Sequence, residues 1–419
     1  MSVKESITPE QLATYTELAK EKKQLRKKSN KGLLLFYLVC VIIGGCIGGF
    51  GTWFLEEGPV DISVPAPLGG NNSVILNALV LLVIFYASVI LHLILHEAGH
   101  LVFGLLTGYR FLSFRIYSFT LVKKDGKMIR KKLKVKGIPG QCLMTPPEWS
   151  EEKKYPYVWY NLGGGLLNLL CCLLVVPLFF LQVPFVVWVA GVFVFSGVIL
   201  GLSNLIPMTM GIPNDGKNCL LCKKARENQR AFYLQLKINS MMSDGVAVKD
   251  MPVELFELKD GAPVNALTCF VQLMKYYREL QKGEAVAAKD VLSGLAQNEK
   301  RLPLAFVNSL DLERLYGMLR EDAPLEEVAA CYSVLLPVFT QNKDLSVLRV
   351  KYAYYVLLTE EERELVDWLV YSKNNKLPKK LPKRKAATAE AIYEEMEKAL
   401  AAHPVIAEAE LYMDLVKDL

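Results

Sequence analysis

Residues Leu91 to Gly108, LHLILHEAGHLVFGLLTG, lie inside an apolar run that begins at Val74. At their centre stands His96-Glu97-Ala98-Gly99-His100, the HExxH pattern. On an α-helix, residues four apart sit one turn above each other on the same face, so His96 and His100 can aim imidazole nitrogens at one ion. Glu97 then flanks the ion. Two neutral imidazoles and a nearby carboxylate are what a catalytic Zn2+ requires, with a third ligand from elsewhere and a fourth position kept for water. Zinc lowers the pKa of that water toward about 7, and Glu97 can take its proton.

The setting sharpens the motif. Between Val74 and Leu106 the one formally charged side chain is Glu97. A carboxylate near the middle of a membrane helix costs roughly 2.5–3.5 kcal/mol on the lenient insertion scale, so such residues have a partner and a function. The plainer alternative is a glutamate packed in a helical bundle and satisfied by a neighbour. His92, one turn before His96, extends the stripe. Three successive turns of a straight helix converge poorly on a tetrahedral centre, so His92 reads as a supporting or ordinary buried histidine.

The 419-residue chain has room for two or three domains. Its 52% hydrophobic content and several long uncharged runs place it among membrane proteins. The net charge of +6 is modest, and the basic residues cluster beside apolar spans, a pattern that fits the positive-inside rule and argues against nucleic-acid binding. Of nine cysteines, Cys40, Cys46, Cys171 and Cys172 fall in apolar spans and the rest in segments read as cytosolic, so a disulfide framework is not expected. The polar first thirty residues show no secretory signal layout.

Thr8-Pro9-Glu10-Gln11 opens a short helix like a capping box, and the helix ends in Lys22, Lys23, Arg26, Lys27 and Lys28. Its basic end either touches anionic headgroups or is a solvated run that sets topology. Leu33 to Leu55 is a first span, with Gly44, Gly45, Gly48 and Gly49 for close helix packing, and the acidic loop Glu56 to Asn72 belongs outside. Val74 to Leu106, 33 residues, re-enters and carries HExxH toward the cytoplasmic half. A loop from residue 109 to 154 follows, with a dozen lysines and arginines. Within it Phe111 to Val122 reads as a strand, Asp125-Gly126 as a turn, and Met128 to Val135 as a return strand. This basic hairpin is either a solvated connector or an open strand edge that holds an extended substrate.

Tyr157 to Leu181 and Phe185 to Ile206 are the third and fourth spans. Four spans with both termini cytosolic satisfy every loop. The second and fourth spans both approach the cytosol at their C-terminal ends, which puts HExxH and Asp215 on one side. Pro207, Gly211 and Pro213 break the helix before Asp215 and let the chain fold back, making Asp215 the natural third ligand.

HEAGH in one membrane helix, Gly164-Gly165-Leu-Leu-Asn168 in the next, and NLIP followed by Asp215-Gly216 resemble the site-2 protease family of intramembrane zinc metalloproteases, over residues 74 to 218. The resemblance implies that His96, His100 and Asp215 bind zinc, that Glu97 is general base and acid, and that Asn168 donates to the oxyanion or the substrate carbonyl. It also implies a substrate-clamping hairpin and cleavage of membrane-embedded proteins. The chain departs from the family in having Gly165 where proline is common, and in a longer spacer between Pro207 and Asp215. Asn204 reads as a polar residue bonding across helices. Cys219 and Cys222 form a C-x-x-C with no second pair, and default to free thiols.

After Lys223 the pattern changes to amphipathic helices. Candidate pairs are Pro263 to Gln297, Leu304 to Phe339, Leu345 to Lys373 and Ala387 to Leu419. That period suggests a solenoid akin to tetratricopeptide repeats, although the expected Trp, Gly and Pro positions are largely absent. Such a domain would offer a surface for a protein partner, or simply cap the membrane part. Lys376 to Lys385 forms a basic connector.

The expectation is an α-helical membrane protein with a four-span core, a cytosolic β-hairpin insertion and an all-α C-terminal domain. Its parts are an N-terminal helix (1–30), a metalloprotease domain (31–222) and a helical-repeat-like domain (223–419). It would sit in the cell membrane and cut membrane-protein substrates. Two rivals are a proteolytically inactive scaffold that recruits partners through its C-terminal domain, and a transporter with a histidine–carboxylate relay. The uncharged third and fourth spans count against the transporter.

Overall fold

The computed structural model describes residues 3–27, 74–124, 126–132, 139–181, 183–382, 387–403, 405–417 and 419, with positions 34, 36–38, 40–42, 44, 45, 67 and 68. The first expected span, Leu33 to Leu55, and the loop Glu56 to Asn72 lie largely outside the described residues, as does the end of the basic connector. The chain forms two compact units, one of residues 30–130 and 137–236 and one of residues 1–29, 131–136 and 237–419.

Among the described residues of the first unit three helices are long and apolar enough to cross a membrane: Val74–Leu106 (α2), Tyr157–Leu181, of which Tyr157–Val175 is α-helical (α3), and Pro184–Leu205 (α4). Their burial is inverted relative to a water-soluble bundle. Val74, Leu106 and Leu174 are three-quarters exposed or more, while Asn77, Ser88, His92, His96, Glu97 and His100 face inward. Apolar surface outside and polar side chains inside is the arrangement a lipid solvent favours.

α2 ends in a Schellman motif: Gly108 at φ +92° lets Tyr109 N–H donate to Gly104 O at 3.0 Å and Gly108 N–H to Leu105 O at 3.3 Å. The chain then enters an antiparallel sheet of four strands in the order β3-β2-β1-β4, made of Arg110–Ile116 (β1), Phe119–Lys124 (β2), Lys127–Lys132 (β3) and Gly140–Thr145 (β4). The single hairpin expected from the sequence is thus too small. The turn after Lys124 is where Asp125-Gly126 placed it, but Phe111 to Val122 is folded in two at Tyr117, whose φ is +50°, so that Ile116 pairs with Phe119. A tyrosine is rarely found in that left-handed region, and no Asn-Gly or Gly marks the turn. β4 pairs with β1 through a bulge between Phe111 and Ser113, and its Met144 is fully buried against Gly104 of α2.

The second unit is mostly helical among its described residues, with a core that includes Leu315, Leu335, Val350 and Leu369. Helices fall in each of the four segments read as amphipathic, without a constant repeat length: Ala266–Gln281 with Ala285–Ala296, Leu304–Arg320 with Leu325–Gln341, Leu345–Leu357 with Glu360–Val370, and Ala389–Ala402 with Ile406–Asp414. Inside it, Glu313 pairs with the fully buried Arg349 and accepts from the Tyr276 and Tyr277 hydroxyls at 3.2 and 2.7 Å, which leaves neither charge uncompensated.

The N-terminal helix, Pro9–Lys27 (α1), falls in this unit, and two side chains of its basic end, Lys22 and Arg26, turn into it while Lys23 is exposed. Thr8 Oγ1 accepts from Gln11 N–H and Gln11 Oε1 from Thr8 N–H, both at 3.1 Å, so the capping box forms. Tyr15 and Ala19 are buried in the helical core. Lys22 and Arg26 reach Asp311 at 2.7 and 2.8 Å, and Arg26 also donates to Val334 O.

Asp311 is 2% exposed. Burial alone would raise its pKa, but Lys22, Arg26 and Arg314 around it lower it below the ordinary carboxylate value. A depressed carboxylate stabilises above its unfolded pKa, and that stability disappears as pH falls through the folded one. Below about pH 4 the amides of α1 are therefore expected to lose protection from hydrogen exchange. Asp311→Asn should expose them at neutral pH, since breaking a buried pair costs about 3–5 kcal/mol. Equal protection of the wild type and the variant at pH 7 would remove this account.

Candidate metal centre

α2 and α3 run antiparallel and meet turn for turn. His92 Nδ1 faces Asn168 Oδ1 at 3.2 Å, the two motif imidazoles lie over Gly164, and His100 Nδ1 lies 2.6 Å from Tyr160 O. Glycine is required beneath the histidines: a Cβ at Gly164 would stand 2.6 Å from His96 Cε1 and 2.7 Å from His100 Nε2. One residue earlier on each helix, a Cβ at Gly99 would fall 2.3 Å from Gly163 O. The glycine run thus serves close approach of α3 to the HExxH helix.

The third element is the segment after α4. The helix ends at Leu205, a two-residue hairpin (Thr209–Met210 with Ile212–Pro213) turns at Gly211, and a new helix, Asp215–Lys224 (α5), begins. Asn214 caps that helix and uses its whole amide. Oδ1 accepts from Met208 N–H at 3.0 Å and Lys217 N–H at 2.9 Å, while Nδ2 donates to Ser203 O and Ile206 O, each at 2.7 Å. A Cβ at Gly216 would meet Leu205 O at 2.1 Å, so the Asp-Gly pair tucks against the end of α4. The long spacer therefore does not keep Asp215 away. Its Oδ2 lies 3.1 Å from His96 Nε2 and 3.4 Å from His100 Nε2.

These three residues are the group able to hold a metal ion among the described residues, their ligand atoms all within 4.8 Å of one another. His100 Nδ1–H donates to a backbone carbonyl, which leaves Nε2 with its lone pair toward Asp215. The two Nε2 atoms are 3.1 Å apart. Lone pairs and a carboxylate at this range repel unless a cation lies between them. Tetrahedral zinc with bonds of about 2.0–2.1 Å spaces its ligand atoms about 3.3–3.4 Å apart, so the donor set fits that ion.

Glu97 is 5% exposed, and β4 begins against it, since a Cβ at Gly140 would lie 2.4 Å from Glu97 Oε1. A cavity of about 480 Å3 is lined by His96, Glu97, His100, Asn168 and Asp215, with Gly140 to Leu143 of β4 along one side. All five site residues expected from the sequence are therefore together. Asn204 instead donates to Leu200 O of its own helix at 3.0 Å. Cys222 is buried and Cys219 partly so, both free, and neither joins a metal-capable group among the described residues. Sequence reasoning missed Tyr160, which acts through a backbone carbonyl; Asn214, whose cap lies in a loop; and β4. The chain matches no protein-family model, no curated protein and no solved structure.

Proposed function

We propose that this chain is a multi-pass membrane zinc endopeptidase of the site-2 protease type, which hydrolyses peptide bonds in or beside the membrane spans of other proteins. The observation that carries the reading is the meeting of His96, His100 and Asp215, from segments far apart in sequence, beside the buried Glu97 in one cavity among apolar helices. His96, His100 and Asp215 would hold the zinc. Once bound, the ion supplies Lewis acidity that polarises a carbonyl and acidifies water.

Glu97 accepts a proton from the attacking water and passes it to the leaving amine as the C–N bond breaks. Asn168 donates to the carbonyl oxygen as negative charge develops there. β4 is an outer strand of its sheet and borders the cavity, so it, and not the β2–β3 hairpin, is the edge on which an unwound substrate segment would add by main-chain hydrogen bonds. A helix must open in this way before its amide can be reached.

The packing of α1 with the C-terminal helices favours both termini on one side of the bilayer and an even number of crossings. The three apolar helices and the apolar run Leu33 to Leu55 make four. We place those termini in the cytosol on the distribution of basic residues. The reading is tested by reconstituting the purified chain with a panel of single-span substrates. New fragments cut within or next to the span are expected, lost with a zinc chelator and restored by added zinc. Intact substrates across the panel would refute it.

A further inference from the structure

We infer that His92 is a positioning residue that fixes the direction of the Asn168 amide. What the amide then does rests on the proteolytic reading above; the hold on it does not. His92 has 0% exposure, and both its nitrogens are engaged: Nδ1 is 3.2 Å from Asn168 Oδ1 and Nε2 is 2.8 Å from Phe193 O. The ring has no room to rotate. A Cβ at Gly197 would stand 2.2 Å from His92 Cε1 and 2.3 Å from Cys172 Sγ, and the Phe193 ring lies over the imidazole with centroids 4.1 Å apart.

A neutral imidazole carries one N–H and cannot serve two acceptors. Phe193 O is a backbone carbonyl and can only accept, so the proton belongs on Nε2. An amide can turn half a circle and present NH2 from the same place. Asn168 therefore donates one N–H into the Nδ1 lone pair. Its nitrogen keeps a second hydrogen, and because Asn168 lines the cavity, that hydrogen is held ready for a substrate carbonyl. A ring protonated on both nitrogens would also satisfy both neighbours, but as an ion with no solvent contact in an apolar bundle. His92 thus does for Asn168 what Tyr160 O does for His100: it selects one of two chemically different faces.

Two measurements decide this. In the full chain labelled with 15N-histidine, four histidines are present, and His92→Gln assigns the resonance of interest. The expected result is an N–H on Nε2 with an unprotonated Nδ1 whose shift moves in Asn168→Leu. Protonation of Nδ1, alone or together with Nε2, would overturn the inference, and this holds whether or not the protein cleaves anything.

The second measurement is a double-mutant cycle on turnover. In His92→Gln the amide end of glutamine can still donate to Phe193 O but offers Asn168 no acceptor. We expect kcat to fall about 10- to 100-fold, at or below the roughly 10²–10³-fold cost of losing an oxyanion donor, with zinc content unchanged. The double variant with Asn168→Ala should be no slower than Asn168→Ala alone. His92→Asn, whose Oδ1 can accept from the amide, should recover most of the rate. Additive losses, or loss of zinc in His92→Gln, would overturn the assignment; a wild type without proteolysis would refute the function and leave the tautomer result standing.

Discussion

Replacing Glu97 with glutamine is expected to cut the proposed cleavage about 10²–10⁴-fold while leaving zinc content unchanged. Glutamine preserves the volume beside Gly140 but has no basic site for the proton of the attacking water, and general acid–base groups contribute about 10²–10⁴-fold. Because Glu97 is not among the three residues whose donor atoms converge, the variant should carry as much zinc as the wild type. Fragment yield and metal content measured on the same preparation separate this from a folding defect. Identical fragments from the two proteins would end the hydrolytic assignment and return attention to a scaffold.

The second large effect is on the metal. Asp215→Ala removes the one donor of the three that does not come from α2, leaving two imidazoles on successive turns of one helix. Two ligands from a single face cannot close a tetrahedral site, so zinc content should fall from near one per chain to near zero. Asp215→Asn tests the charge alone, since it keeps the shape in the Asn214–Gly216 corner. Retention of stoichiometric zinc by Asp215→Ala would show that the ion lies elsewhere.

The motif helix, the broken helix before Asp215 and the C-terminal helix pairs were readable because each rests on a local signal: four-residue spacing, Pro and Gly after an apolar run, amphipathic periods of about thirty residues. The convergence of His96, His100 and Asp215 was legible for the same reason, whereas Asn168 entered through the family resemblance. What escaped depends on long-range packing. β4 is six residues long and became a strand only because β1 offered an edge and α2 a floor at Gly104. The turn at Tyr117 has no turn residue to announce it. Lys22 and Arg26 read as a basic run for water or headgroups, since nothing near them in sequence reveals Asp311. Tyr160 contributes a main-chain oxygen, which no side-chain pattern can mark.

The placement of α1 has a consequence for synthesis. Its inward face, Tyr15 and Ala19, is translated before the three described apolar helices of the other unit, and the surface it covers, around Leu315 and Leu335, only after them. At about 5–20 residues per second the helix waits roughly 15–60 s for its counterpart. The apolar helices are therefore complete before the helical unit can close, and a nascent chain stalled before Asp311 would carry all three of those described with α1 still unclaimed.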